Sequence, residues 1–446
     1  VTVPGDNRRV SEIPRRTVQR TAKLAGLPLG AAGRFAAGWG KRLTGRDADE
    51  VNAEISARTA EQLFAVLGQL KGGAMKFGQA LSVFEAAVPD EYAEPYREAL
   101  TKLQSAAPPM PTRDVHQVLT EQLGSAWRSR FSEFDDVPTA AASIGQVHRA
   151  TWHDGREVAV KVQYPGAGEA LMSDLRQLQR FSRLIQGIVP GTEVKPLLSE
   201  LQERMAEELD YRVEADAQRR FVTAYTDDPN VRVPRVLASA PRALVTEWVE
   251  GTGLAGIIRD GSQEDRDHAG TLLSLFNFSA PHQAGLLHAD PHPGNFMLDA
   301  DGRLIVIDFG AVARLPDGPP PTFGVLLRLA LGDDPEELLR FLRAERFLGP
   351  RTELAAEDVL AFLAPLVEPL RTERFTFTRS WLQGQADRVG NLRGNDFRTS
   401  RSLNLPPEYL MIYRTTMGTT AILCQLGATV AARSIVGDWL PGFRTR

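Results

Sequence analysis

The sequence is short of the residues that build redox and metal centres. It has one cysteine, Cys424, in 446 residues, so no intramolecular disulfide can form and a reducing compartment is expected. The same scarcity excludes zinc fingers and cysteine-held iron–sulfur clusters. Only seven histidines are present, and His288 and His292, four apart, are interleaved with Pro291 and Pro293. Prolines there argue against helix, so the pair lacks the i,i+4 geometry of a helical zinc site and structural roles are expected for both.

Long apolar runs are missing too. Leu24–Gly40 is rich in Gly and Ala but is interrupted by Pro28 and Arg34, unlike a secretory signal. Thr415–Ala432 is uncharged over 18 residues, near the minimum for a membrane span. Its threonines, glycines and Gln425 suit a buried helix of a soluble lobe better. No internal repeat is visible, which argues against a solenoid or propeller.

What is present is an ordinary globular mixture, 43% hydrophobic and 24% charged, long enough for two or three domains. The net charge of −4 hides an asymmetry. Residues 1–46 carry ten Lys or Arg against only Asp6 and Glu12, so basic charge gathers at one end. With Phe35, Trp39 and Leu43 nearby, this leader fits peripheral attachment to an anionic membrane surface. No recognised nucleic-acid module surrounds it, and no nucleic-acid partner is expected.

Four regions separate along the chain. Residues 1–50 are the basic, Gly-rich leader, and 51–112 read as a helical extension with Leu63, Val66, Leu67 and Leu70 at helical spacing. The extension ends in the break Ala106–Pro111. Region 113–248 is mixed. Val147–Trp152 and Arg156–Gln163 read as strands joined by the turn His153-Asp154-Gly155. Helical stretches Ala167–Ile188 and Leu197–Tyr225 follow, then strand-like Val231–Val236 and Ala243–Trp248. From residue 249 to 446 helices dominate, interrupted by His288–Phe296 and the apolar run Leu304–Ile307.

Three pieces in order carry chemistry. Lys161 ends Val158-Ala159-Val160-Lys161 on a strand, where an ammonium can hold the α- and β-phosphates of a nucleotide. In His288-Ala289-Asp290-Pro291-His292-Pro293-Gly294-Asn295 an Asp precedes an Asn by five, the spacing of a kinase catalytic loop. Asp308-Phe309-Gly310 then ends a strand, placing a carboxylate where it can bridge Mg²⁺ to phosphates. Phosphoryl transfer needs charge neutralisation and positioning, so the hard oxygens of Asn295 and Asp308 suit Mg²⁺, and Asp290 faces the attacking group. Between Ala311 and Thr322 there is no Ala-Pro-Glu and no Ser, Thr or Tyr before Thr322, so no phosphorylation-switched activation loop is expected.

Four stretches also carry a family resemblance. Lys76-Phe77-Gly78-Gln79, the run Ala140-Ala141-Ala142-Ser143-Ile144-Gly145-Gln146, Glu208-Leu209-Asp210-Tyr211 with Glu214, and His288–Asn295 together resemble the UbiB/AarF family of atypical, protein-kinase-like proteins. The likeness runs from about residue 55 to 315. It implies an α+β, two-lobed protein-kinase-like fold with an N-terminal helical extension carrying Lys-x-Gly-Gln over the active site. It assigns residues 140–146, Lys161, Glu214, Glu247 and Val249 to an ATP site, with Glu214 as ion partner of Lys161. It places Lys76 and Gln79 in the cleft, Lys76 beside Glu208 and Asp210, where it gates the site and blocks a peptide substrate. Alanines where ordinary protein kinases use glycines imply a stiffer nucleotide loop.

A straight helix puts Glu207, Asp210 and Glu214 on one face and Glu208 about 100° away, so both Glu208 and Asp210 cannot easily face one lysine. Either the helix is irregular there or one carboxylate stands back. The leading function is an atypical kinase or ATPase using ATP and Mg²⁺, supporting quinone or other isoprenoid-lipid metabolism at a membrane. The alternatives are a nucleotide-sensing scaffold with little turnover, or a small-molecule kinase of the aminoglycoside type. The oligomeric state is not legible.

Overall fold

Alternation along Glu157–Gln163 decides the first lobe. Val158, Val160 and Val162 fall on one face and are fully buried, while Ala159 and Lys161 fall on the other. The computed structural model describes residues 109–142, 144–169, 172, 209–349, 352–390 and 394–444. The leader, the extension with Lys76 and Gln79, Ser143 and Glu208 lie outside the described residues.

Helix α1 (Thr112–Leu123) lays Val115, Val118, Leu119 and Leu123 on the valine face. Strands β1 (Phe131–Phe134) and β2 (Ala140–Ala142) both pair antiparallel with β3 (Gly145–Trp152), near its opposite ends. β3 pairs with β4 (Glu157–Gln163) through the expected turn, where Gly155 takes φ 90°, a conformation side chains disfavour. Helix α2 (Tyr211–Ala224) packs on the sheet edge formed by β6 (Val236–Ala240) and β7 (Ala243–Glu247). The order is β1-β3-β4-β7-β6, with β2 also on β3.

Two expectations are corrected here. The helix read over Leu197–Tyr225 does not run through Asp210, because Asp210 has extended backbone (φ −114°, ψ 99°) and caps α2. Its side chain accepts from the Arg212 N–H, so Asp210 and Glu214 do not share one face of a continuous helix. The run Val231–Val236 is two strands. Pro234 has no N–H for a ladder. Val231–Arg232 (β5) therefore leaves to pair parallel with a strand of the second lobe, and Val236 begins β6.

The second lobe follows β8 (Thr252–Gly253) and α3 (Leu254–Asp260). Its axis is α4 (Gln263–Gln283), started by a capping box in which Ser262 and Asp265 bond each other's backbone. Phe276 and Leu273 of α4 pack with Phe221 of α2, so one apolar core spans both lobes. Four short strands come next: β9 (Leu286–His288), β10 (Phe296–Leu298), β11 (Leu304–Val306) and β12 (Val312–Arg314). β10 pairs with β11, and β9 with β12. Helices α5 (Pro321–Leu331), α6 (Pro335–Ala344) and α7 (Ala356–Val367) build a second core around Leu326, Leu338 and Val359. The chain ends through β13 (Phe375–Thr376), α8 (Arg379–Gly390), α9 (Asn395–Ser402), α10 (Pro407–Leu426), β14 (Thr429–Val430) and α11 (Ala432–Trp439). An antiparallel sheet with a cross-packed helix, followed by a mainly helical lobe, is the α+β two-lobed architecture of protein kinases.

The uncharged stretch Thr415–Ala432 is helical to Leu426 and then turns at Gly427, φ 63°. No helix among the described residues is long and apolar enough to cross a membrane.

Close packing of α5 on the C-terminal segment gives a test. A Cβ on Gly324 would lie 2.1 Å from the Pro441 carbonyl oxygen. Gly324→Ala is expected to cost about 1–3 kcal/mol and lower the thermal unfolding midpoint by several degrees. Gly384→Ala in α8, with nothing within 4 Å of the new methyl, should leave it unchanged or raise it slightly. Calorimetry on the two variants checks both.

Candidate active site

Lys161 points away from the buried valines toward α2. The buried stripe of α2 is Tyr211, Glu214, Ala215, Gln218 and Phe221, so Glu214 comes to the sheet. The Lys161 Nζ donates to both Glu214 oxygens, at 2.8 and 3.0 Å, and lies 3.5 Å from Asp308 Oδ2. It also sits 5.0 Å from the centre of the Tyr211 ring, a cation–π arrangement. Burial pushes the lysine pKa down, but the carboxylates of Asp308 and then Glu214 outweigh it and hold the ammonium well above its ordinary value.

Asp308 follows β11 and is fixed on both sides. Its Oδ1 accepts from the Gly310 N–H at 2.9 Å, and its carbonyl oxygen accepts from His288 Nε2 at 2.6 Å. Phe309 is 1% exposed and packs, tilted by 39°, against Phe221 of α2 at 4.9 Å between ring centres. His288 also packs edge-on against Phe309. The Asp-Phe-Gly turn is therefore locked to α2 by an apolar contact and to β9 by a hydrogen bond.

The loop from β9 to β10 carries the other acid. Asn295 Nδ2 donates to the Asp290 carbonyl oxygen at 3.0 Å and lies 3.4 Å from Asp290 Oδ2. That leaves Asn295 Oδ1 as the oxygen it can offer a cation. The Ile307 N–H donates to the Asn295 carbonyl (3.1 Å), and the Ala289 N–H to the Ala311 carbonyl (3.0 Å). These two bonds hold the Asp290 loop beside the Asp308 turn. His292 Nδ1 accepts from the Gly294 N–H at 3.0 Å. His288 and His292 thus have local bonds of their own.

The alanine run is partly a strand. Ala140, Ala141 and Ala142 face Val147, Gln146 and Gly145 in β3, so an expected loop is a tight hairpin. A Cβ on Gly145 would lie 2.2 Å from the Val162 carbonyl oxygen, so only glycine lets the hairpin sit this close to β4.

For three assigned residues the side chain is elsewhere. Gln146 lies opposite Val162, on the face away from Lys161, and is 1% exposed. It accepts from the Met110 N–H at 2.7 Å and bonds His148 at 2.9 Å, so it ties β3 to the start of α1. Ile144 is buried with Tyr211, Ala215 and Leu244, seating α2. Glu247 accepts from the Arg235 N–H at 3.0 Å, closing the edge of β6 and β7. Val249 is half-buried just beyond β7.

Asp210 is committed to its cap and to Arg212, whose guanidinium lies 2.6 Å away and holds the carboxyl below its usual range. Whether Lys76 reaches it lies outside the described residues, as do Gln79 and Glu208. Tyr211 beneath the lysine and the Phe221–Phe309 lock were missed in the sequence. Tyr211 stood inside a quoted motif, but nothing in its spacing showed which way the ring points.

No group of three or more His, Cys, Asp or Glu among the described residues could cage a metal. Asn295 and Asp308 supply hard oxygens but not a full shell, a donor set that would suit Mg²⁺ were phosphates and water to complete it.

A paired strand lysine, an Asp-x4-Asn loop and an Asp-Phe-Gly turn, brought together between two lobes, define a protein-kinase-like protein. Residues 102–332 match the ABC1 atypical kinase-like domain, and the chain belongs to that family. The resemblance to the UbiB/AarF group is borne out by its relatives. The atypical kinase COQ8B, mitochondrial, of Rattus norvegicus is 28% identical over 97% of this chain and 82% of its own length. The atypical kinase coq-8, mitochondrial, of Caenorhabditis elegans is 31% identical over 78% of this chain, which spans about half (47%) of that relative. A Mycobacterium tuberculosis protein solved in complex with erythromycin is 49% identical, with a TM-score of 0.70 over 90% of this chain and all of that one.

The raised lysine pKa fixes a pH dependence. A group whose pKa rises on folding stabilises fully below its unfolded value and loses that contribution as pH climbs through the folded one. The unfolding-midpoint difference between wild type and Lys161→Met should therefore stay flat from neutral pH to the ordinary lysine value of 10.5. It should narrow only above that. A scan by circular dichroism checks this, and narrowing below that value contradicts it.

Proposed function

We propose that this chain binds Mg-ATP and acts as an atypical kinase or ATPase that supports quinone or isoprenoid-lipid metabolism at a membrane. The observation that carries the reading is the Lys161 ammonium, kept charged between Glu214 and Asp308 at the junction of the lobes. A lysine so placed binds the α- and β-phosphates. The hairpin of Ala140–Ala142 and Gly145 covers them, its methyl groups leaving less room than glycines. Asn295 Oδ1 and the Asp308 carboxylate would hold magnesium, which would supply charge neutralisation for the phosphoryl group. Asp290 orients the attacking hydroxyl or water and takes its proton on a carboxylate oxygen.

A small or lipid acceptor fits better than a peptide. The stretch after Gly310 is short and pinned, with β12 paired to β9 and the Leu315 N–H bonded to the Gly285 carbonyl at 2.9 Å. It carries no site for a phosphorylation switch. The related proteins named as mitochondrial atypical kinases support the quinone context, and the basic leader supports an anionic membrane surface as partner. Lys76, with Gln79 and Glu208, gates the cleft in this reading.

Thermal unfolding with ATP, with and without Mg²⁺, on wild type and Asp308→Asn tests it. At about 100 times Kd a ligand adds about 2.7 kcal/mol, a rise of several degrees. The rise should need Mg²⁺ and vanish in Asp308→Asn. Phosphate release should then be slow and increase with vesicles of anionic lipid. Folded protein with no shift under any condition overturns the reading.

A further inference from the structure

The helical lobe holds a cavity of about 240 Å³ that none of the proposed nucleotide-site residues lines. Its walls come from α4, α5, α7, α8, α10 and α11, with Phe278, Phe323, Leu366 and Trp381 giving it a mainly apolar surface. The Thr-rich stretch of α10, which the cleft does not use, faces it. Thr416 and Thr420 lie one helical turn apart on the lining side.

One amide there has no partner: Asn277 of α4 is 7% exposed, lines the cavity, and makes no side-chain hydrogen bond among the described residues. Buried amides are nearly always paired, so an unpaired one facing a void points to a missing partner. Tyr413, Thr416, Thr419 and Thr420 of the lining likewise make no side-chain hydrogen bond among the described residues, whereas three other polar groups are already used. Ser274 donates to the Gly270 carbonyl, and the Trp381 indole N–H to Glu368 at 2.7 Å. The Arg388 guanidinium is taken up by Asp396, Gln385 and the Ala361 carbonyl. With its one charge neutralised, the cavity does not select an ion. An apolar cavity of about 150 Å³ accepts benzene, so this one has room for a substituted ring.

We propose that this cavity binds a neutral, mainly apolar molecule of one-ring size, whose single hydroxyl or carbonyl oxygen bonds the Asn277 amide. The site is separate from the nucleotide cleft, so either assignment stands or falls without the other.

Menthol and its hydroxyl-free counterpart p-menthane are the probes, with binding read by calorimetric titration and by the unfolding midpoint. Wild type should bind menthol, and p-menthane roughly fivefold more weakly, the worth of one net hydrogen bond. Asn277→Leu should bind the two alike. Thr420→Phe, or Leu366→Trp should the first not fold, fills the cavity and should abolish binding of both while the Mg-ATP shift of the wild type is retained. Absence of menthol binding to folded wild type overturns the proposal. So does binding that survives a folded filling variant, or equal wild-type affinity for the two probes.

Discussion

The half-buried ammonium of Lys161 is the constraint on which the rest of the site depends. Taking a lysine out of water is costly unless opposite charge and hydrogen bonds meet it. Here the compensation comes from three elements: β4 carries the lysine, α2 brings Glu214, and the turn after β11 brings Asp308. Two belong to the first lobe and one to the second. The charge therefore ties the approach of the lobes to the site, since a shift of either lobe takes Asp308 away and leaves Glu214 alone to compensate it.

Apolar packing makes that approach stiff. Phe309 is held between Phe221 of α2 and His288, and His288 holds the Asp308 carbonyl in turn. The residue beside the charge is thus anchored in the core that spans both lobes. Asp308 cannot turn away without drawing Phe309 out of contact. The polar and apolar halves of the Asp-Phe-Gly turn enforce the same geometry.

Much of this was legible in the sequence. Lys161, Asp290, Asn295 and Asp308 were found because strand alternation and short fixed spacings determine which residues lie near each other. The pairing of Glu214 with Lys161 came from the family resemblance and is present at 2.8 Å. What failed were readings that need tertiary context. Gln146 belongs to the loop by order, but its place in β3 turns it to the other face, a matter of register. Pro234 split an apolar run that composition alone joins. The membership of Phe221 and Phe309 in one contact depends on how α2 crosses the sheet, which no local pattern encodes.

The start of α2 shows how little sequence separates a working site from a misdirected one. Each helical residue advances the face by about 100°. If Asp210 were the first helical residue rather than the cap, nothing would fix where the helix begins. Because Asp210 accepts the Arg212 N–H and pairs with its guanidinium, α2 begins at Tyr211. That register sets Tyr211 under the ammonium and Glu214 in contact with it, while Ala215 and Phe221 face the core. A one-residue slip would bring Val213 or Ala215 toward Lys161 and leave its charge to Asp308 alone. The helix irregularity that a wheel diagram treats as a conflict between carboxylates is thus the feature that aims the one carboxylate the lysine requires.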